Sequence, residues 1–272
     1  VQWYGGSATY YSSAQGPSAQ TGSFSFTFEG TEAAFYGMIS PVSLSSSFTV
    51  EIDGGISSGI QYNRDRNLQS TQWYQTPVLK DGQHNVSIKH FDGVVFDYVV
   101  VTAGPQTRTN GKSAIVDDDS HQLNYQGKWA RNTDSILSSN PSQSLPFRNV
   151  THQAWTVGDS FSFTFVGTSV TVLGVFSWST LGEFSIDFAL DGTTSTTSYS
   201  VTNSSPEYLN KLGDVFNFPY FKQDYLTAGQ HTLSANITHV TNKTFILDYL
   251  AYTSSFDTFP VGFFPTTPLP TS

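Results

Sequence analysis

The sequence repeats itself in blocks that keep their order. Phe24-Ser-Phe-Thr-Phe28 returns as Phe161-Ser-Phe-Thr-Phe165, and each is followed by Gly-Thr (Gly30-Thr31, Gly167-Thr168). Asp53-Gly54 returns as Asp191-Gly192, and Gly82-Gln83-His84 as Gly229-Gln230-His231. Asp97-Tyr98 returns as Asp248-Tyr249, the two strands ending at Thr102 and Thr253. The offset widens from 137 (Phe24 to Phe161) to 151 (Asp97 to Asp248), so the second copy carries insertions. A spacing of this size is too long for a solenoid repeat and matches a whole domain. The pattern predicts two tandem domains related by internal duplication, at 1–103 and 114–253, with a linker over 104–113 and a tail over 254–272.

Each copy reads as strands. Phe24 to Phe28 alternates apolar and polar residues strictly, as does Phe161 to Phe165, which buries one face and exposes the other. Phe48 to Ile52 runs into Asp53-Gly54, and Phe184 to Phe188 runs on to Asp191-Gly192; Asp-Gly after an alternating run marks a hairpin. Only 12% of residues are charged and 15% are aromatic, a balance that favours β-structure over helix or disorder. No segment carries a capped helical stripe. The expectation is an all-β chain of two jelly-roll β-sandwiches.

The net charge of −9 is spread thinly and forms no basic stripe, which argues against nucleic acid as a partner. With no Cys, the chain has no disulfide, no thiolate metal site and no Cys nucleophile. Asn85, Asn149, Asn203, Asn236 and Asn242 each begin an Asn-x-Ser/Thr sequon. A Lys-poor, Thr-rich chain with these acceptors is expected to be a secreted or cell-surface glycoprotein. No run of eighteen apolar residues is present to span a membrane. The start at Val1-Gln2-Trp3-Tyr4 reads as that of a processed product.

The motifs carry a family resemblance. The loops Val78-Leu-Lys-Asp-Gly-Gln-His84 and Leu226-Thr-Ala-Gly-Gln-His231, each before an alternating strand, resemble those of galactose-binding-domain-like jelly rolls. Asp117-Asp118-Asp119, Tyr125-Gln-Gly-Lys-Trp129 and Gly158-Asp159-Ser160-Phe161 through Gly167-Thr168 are similar to the tandem-sandwich extracellular proteins of basidiomycete fungi. The resemblance covers both copies. It implies the fold, an extracellular setting and kinship with carbohydrate-binding modules, and it implies no particular activity.

Aromatic side chains are the candidate ligand contacts, because sugar rings have apolar faces that stack on Trp and Tyr. Trp73 and Tyr74 lie in a polar stretch over 63–76, and Trp178 in the loop Phe176-Ser-Trp-Ser-Thr180. Tyr208 and Tyr220 lie in a long insert of the second copy, 195–222, whose alternative role is a packed cover for a sheet face. Trp3, Trp129 and Trp155 are expected in the cores. His84 and His231 occupy equivalent turns, which assigns them to structure. Asp97 and Asp248 are strand positions that could accept hydrogen bonds from a neighbouring turn. Asp117, Asp118 and Asp119 could offer oxygens to Ca²⁺, but consecutive strand residues point in different directions, so no metal site is expected from them alone. No nucleophile elbow, zinc motif or phosphate loop is present, and no cofactor and no catalytic residue is expected.

The copies differ at their ends. Val1 to Gly5 aligns with Leu123 to Gly127, so the first copy lacks a counterpart of residues 114–122. An absent strand leaves an edge that another chain can pair with. Phe256, Phe259 and Phe263 of the tail are candidates to fill it, which would build a homo-oligomer. The expected function is therefore a non-enzymatic extracellular glycoprotein that binds polysaccharide or associates with a cell wall. The alternatives are a self-assembling structural protein that uses the tail and a glycoside-active enzyme.

Overall fold

A computed structural model of the chain describes residues 9–10, 22–39, 47–56, 58–61, 68–69, 71–91, 94–133 and 143–258. They are almost entirely β-structure, in two compact units. Trp3, Phe259 and Phe263 lie outside the described residues.

The first unit is built from β1 (Thr9–Tyr10), β2 (Gly22–Gly30), β3 (Glu32–Ile39), β4 (Ser47–Ile52) and β5 (Ser58–Gln61), followed after β6 (Leu68–Gln69) by β7 (Thr71–Gln75), β8 (Gly82–Phe91) and β9 (Val94–Thr102). One sheet has the order β1-β9-β3-β7 and the other β2-β8-β4-β5, all pairs antiparallel. The inward side chains of both sheets, among them Phe28, Phe35, Phe48, Val86 and Ile88, make one core. Phe24 and Phe26 pack against it half-buried, because they lie towards the rim of the same face as Phe28.

The second unit holds β10 (Ser113–Asp117), β11 (Leu123–Gln126), β12 (Ala130–Asn132), β13 (Gln143–Ser144), β14 (Thr151–Ala154), β15 (Ser160–Ser177), β16 (Gly182–Leu190), β17 (Thr193–Val201), β18 (Asp214–Gln223), β19 (Gly229–Thr241) and β20 (Phe245–Ser254). Leu68 and Gln69 belong to this unit, where β6 pairs in parallel with β13. The long strand β15 serves two layers. Its first half lies between β11 and β19, and its second half between β20 and β18. Since β19 and β20 run in opposite directions, β15 descends one layer, arches over at Gly167 and ascends the other. The arch is tight: a Cβ on Gly167 would stand 2.5 Å from the carbonyl oxygen of Thr253. A Cβ on Gly30, the last residue of β2, would stand at the same 2.5 Å from Thr102 O, so the repeated Gly-Thr marks the same crossing in each unit. Phe161, Phe163 and Phe165 of β15 and Phe184, Ile186 and Phe188 of β16 are all buried, on strands that flank β19, and Phe163 and Phe165 pack against Tyr252 of β20.

Several expectations change here. The stretch over 195–222 is not a cover laid on a sheet. It supplies most of β17 and β18, which pair with β16 and with the ascending half of β15. Between them lies a one-turn helix, α1 (Pro206–Leu209), in a chain expected to have none. The boundary between units falls between Asn110 and Gly111, within the stretch 104–113. The start of the tail is held inside its own chain: Thr109 N–H donates to Asp257 O at 2.8 Å and Thr109 Oγ1 to Phe256 O at 2.8 Å. Asn110 Nδ2 adds a bond to the Asp257 carboxylate at 3.1 Å. Among the described residues no helix is long and apolar enough to cross a membrane.

Candidate functional site

The pairings bring four connections to one end of the second unit. Ser177 at the end of β15 pairs with Asp214 at the start of β18. Gly182 at the start of β16 pairs with Val201 at the end of β17, and Glu183 with Thr241 at the end of β19. Ala154 at the end of β14 pairs with Phe245 at the start of β20. Residues 155–159, 178–181, 202–213 and 242–244 therefore crown the same end. Trp155, Val157, Leu181, Leu209 and Leu212 are all exposed there, while Trp178 and Tyr208 are half-buried. The opposite end carries the tight Asp191-Gly192 turn.

Trp178 is a half-buried ring held firmly in place. Its indole packs edge-on against Phe176, centroids 4.7 Å apart, and its backbone N–H donates to Gly213 O at 2.9 Å. Hydroxyls flank it in sequence, Ser177 Oγ lying 2.9 Å from Ser179 Oγ, and the connection over 202–213 adds Thr202 Oγ1, 2.9 Å from Ser204 Oγ. An aromatic face beside neutral hydroxyls is the surface chemistry a sugar ring fits.

The other aromatic candidates fare differently. Trp73 is only 6% exposed, because it sits in β7 facing inward and packs on Phe35 and Phe48. Tyr74, beside it, is half-buried against the same core. Tyr220 is 2% exposed; it lies in β18 with its hydroxyl donating to Val175 O at 2.7 Å. Trp73 and Tyr220 thus have no face to offer a ligand. Trp155 corrects an expectation in the opposite sense: it is 49% exposed, since β14 ends one residue before it. Trp129 packs on Phe161 and Phe245 as expected, its indole N–H donating to Ser160 O at 3.0 Å. All five sequon asparagines, Asn85, Asn149, Asn203, Asn236 and Asn242, are exposed.

A second polar cluster lies along the side of this unit. β10 pairs with residues 249–253 of β20 and β14 with residues 245–247, so both share one edge and meet beside Asp248. Asp118 leaves the sheet at that gap with its side chain fully buried. Its Oδ2 lies 2.6 Å from His152 Nδ1, while its Oδ1 is buried without a partner. Tyr125 of β11 stacks on His152 at 4.6 Å and donates its hydroxyl to Asp118 O, which joins the two layers of the sandwich. Burial pushes Asp118 up to about 7, against the pull of His152. Asp248 is also buried, its carboxyl raised by desolvation, and it accepts Phe147 N–H at 2.8 Å. Asp118, Asp119 and His152 bring ligand atoms within 4.8 Å of one another, the convergence that three successive Asp could not make alone. Arg131, however, holds both Asp119 oxygens, at 2.8 and 2.9 Å from its Nε and 2.5 Å from its Nη2. A cation would have to displace that guanidinium and break the Asp118–His152 bond. The donors fit an ion-pair network that closes the sandwich seam better than they fit a metal.

No protein-family model matches the chain, and no curated protein sequence matches it. Solved structures do resemble it. A two-domain esterase active on acetylated mannans is 14% identical, with 58% of this chain and 40% of that one covered and a TM-score of 0.39. A Paenibacillus xanthan lyase is 12% identical over 91% of this chain and 25% of its own, at a TM-score of 0.33. The CBM36-1 domain of a multidomain xylanase from the hindgut metagenome of Trinervitermes trinervoides is 18% identical over 52% of this chain and 95% of its own, at 0.30. The chain spans less than half the length of the esterase and a quarter of the lyase. The superpositions are partial, and the functional reading rests on the side chains.

Proposed function

We propose that the chain is a non-enzymatic, extracellular glycan-binding protein whose contact surface is the crown of the second unit, with Trp178 at its centre. The observation that carries this reading is the half-buried Trp178 ring, fixed by backbone and ring contacts beside the hydrogen-bonded hydroxyls of Ser177 and Ser179. A non-enzymatic role is supported by the use made of the imidazole–carboxylate pairs. Those of His84 and His231 have both ring nitrogens and both carboxylate oxygens engaged in holding turns. An array of plant and fungal polysaccharides, probed with the full chain and with Trp178→Ala, tests the proposal. Binding that falls about fivefold or more in the variant, with melting unchanged, fits a stacking contact of roughly 1 kcal/mol. No binding to any polysaccharide, or equal binding by both proteins, overturns it.

A further inference from the structure

The structure assigns Lys243 as the positioning residue of the Trp178 loop; this deepens the glycan-binding reading and rests on it. Lys243 follows Asn242, which turns the chain between β19 and β20 with a φ of 50°. The residue is only 5% exposed, unusual for a lysine. Its ammonium donates to the carbonyl oxygens of Ser177 and Thr180, the latter at 2.8 Å. Those two carbonyls bracket Trp178. The same nitrogen stands 4.4 Å from the centre of the Phe176 ring, against which Trp178 packs. One cation thus spans the loop from end to end and also braces the ring beneath it.

The charge matters to the clamp. A buried ammonium is held by acceptors and by the negative face of an aromatic ring, and both attractions weaken when it becomes a neutral amine. Burial lowers the Lys243 pKa to about 8, while Asp214 on β18 opposes the shift. Asp214 is itself raised by burial and is bonded to Ser177. The other charged groups on the strands around this end are Glu183 and His239, which pair with each other at 3.0 Å. The lowered value shows that relief of the ammonium's desolvation outweighs those losses, so the buried position is held at least as well when the amine forms, and what disappears near pH 8 is the charge beside the Phe176 and Trp178 rings.

The test uses the full chain grown with 5-fluorotryptophan, the Trp178 resonance being assigned from Trp178→Phe. A ¹⁹F spectrum needs no ligand, so it decides the inference even where the glycan reading fails. The Trp178 line should be sharp at pH 6.5 and stay sharp on raising the pH, shifting with a midpoint near 8 as the neighbouring ammonium loses its charge. Lys243→Met, which has no donor for the two carbonyls, should show a displaced or broadened line at every pH, and Lys243→Arg should give a sharp line that does not titrate up to pH 9. A wild-type line that does not move up to pH 9.5, or a Lys243→Met line equal to wild type, overturns the inference. Should Lys243→Met not fold, the wild-type titration and the arginine variant still decide. Mobility in gels containing soluble β-glucan or xylan adds the binding readout: if either retards the wild type, Lys243→Met should lose about as much affinity as Trp178→Ala, roughly fivefold. Unchanged retardation in Lys243→Met would refute a role in binding, and no retardation of the wild type by either polymer would count against the glycan reading alone.

Discussion

His231 faces Asp191 across 2.6 Å, Nδ1 to Oδ2, and its Nε2 lies 2.8 Å from Thr227 O. His84 makes the same pair of contacts, with Asp53 at 2.7 Å and Lys80 O at 2.6 Å. The second oxygen of each carboxylate accepts a backbone N–H, from Thr232 and from Asn85, at 2.8 Å. Both ring nitrogens point at acceptors, so the arrangement is complete only for a doubly protonated imidazolium. The repeated Asp-Gly and Gly-Gln-His motifs, far apart in sequence, are thus two halves of one clamp.

The clamp makes stability depend on pH. The bond to its aspartate raises each histidine's pKa above the usual value. The aspartates are lowered, Asp191 chiefly by His231 and Asp53 chiefly by the Asn85 N–H. A raised histidine contributes fully below about pH 6.5 and loses that contribution as the pH rises through its folded value. A lowered aspartate contributes above about pH 4 and loses it as the pH falls through its folded value. Melting temperature followed from pH 3 to 9 should therefore fall above pH 6.5. The double variant His84→Gln, His231→Gln should melt lower at pH 5 and show a shallower decline between pH 6 and 8. An unchanged slope would mean the clamps do not titrate.

Core truncation should separate the two phenylalanine triplets. Phe163→Ala empties a fully packed position and should cost about 3–5 kcal/mol in chemical denaturation. Phe24→Ala, at a half-buried position, should cost clearly less. Equal losses would mean the rim of the first core is as tightly packed as the centre of the second.

These triplets also show how far the fold could be read from the chain. Period-two alternation needs only local residue order, so Phe161 to Phe165 announced both a strand and its buried face. The arch at Gly167 was visible only as a repeated Gly-Thr, because its cause is a carbonyl from Thr253, distant in sequence. Trp73 and Trp155 were misread for a related reason. Polar neighbours in sequence say nothing of the opposing sheet that covers Trp73, and an apolar ring just past a strand end, as Trp155 is, looks like core until the strand is seen to stop. The Asp118–His152 contact joins residues 34 apart through the gap between β10 and β14, which no local pattern encodes. Lys243 carried no signal at all beyond the sequon that contains it.

The exposed sequons predict modification. Asn85, Asn149, Asn203, Asn236 and Asn242 all present their side chains to solvent, so at least three should carry N-linked glycan in material from the native source. Intact mass before and after endoglycosidase digestion measures this. No loss of mass would remove the chain from the secretory route.

The seam network should respond to a single isosteric change. Asp118 is completely buried, and its carboxyl lies against that of Asp117 as well as against His152. With a folded value raised to about 7, mainly by burial, it favours the protonated form. By the same sign rule its contribution is full below about pH 4 and is lost as the pH rises through 7. Asp118→Asn imitates the protonated acid at every pH: its oxygen can accept from His152, and its amide can donate to Asp117. The variant should match wild type near pH 4 and be more stable at pH 8, by on the order of a few kcal/mol in urea titrations. Asp118→Ala should be destabilising at both pH values, because it leaves a cavity and an imidazole without its acceptor. An asparagine variant that is less stable than wild type at pH 8 would show that Asp118 works there as a charged partner of His152, with its ionised form stabilising the seam.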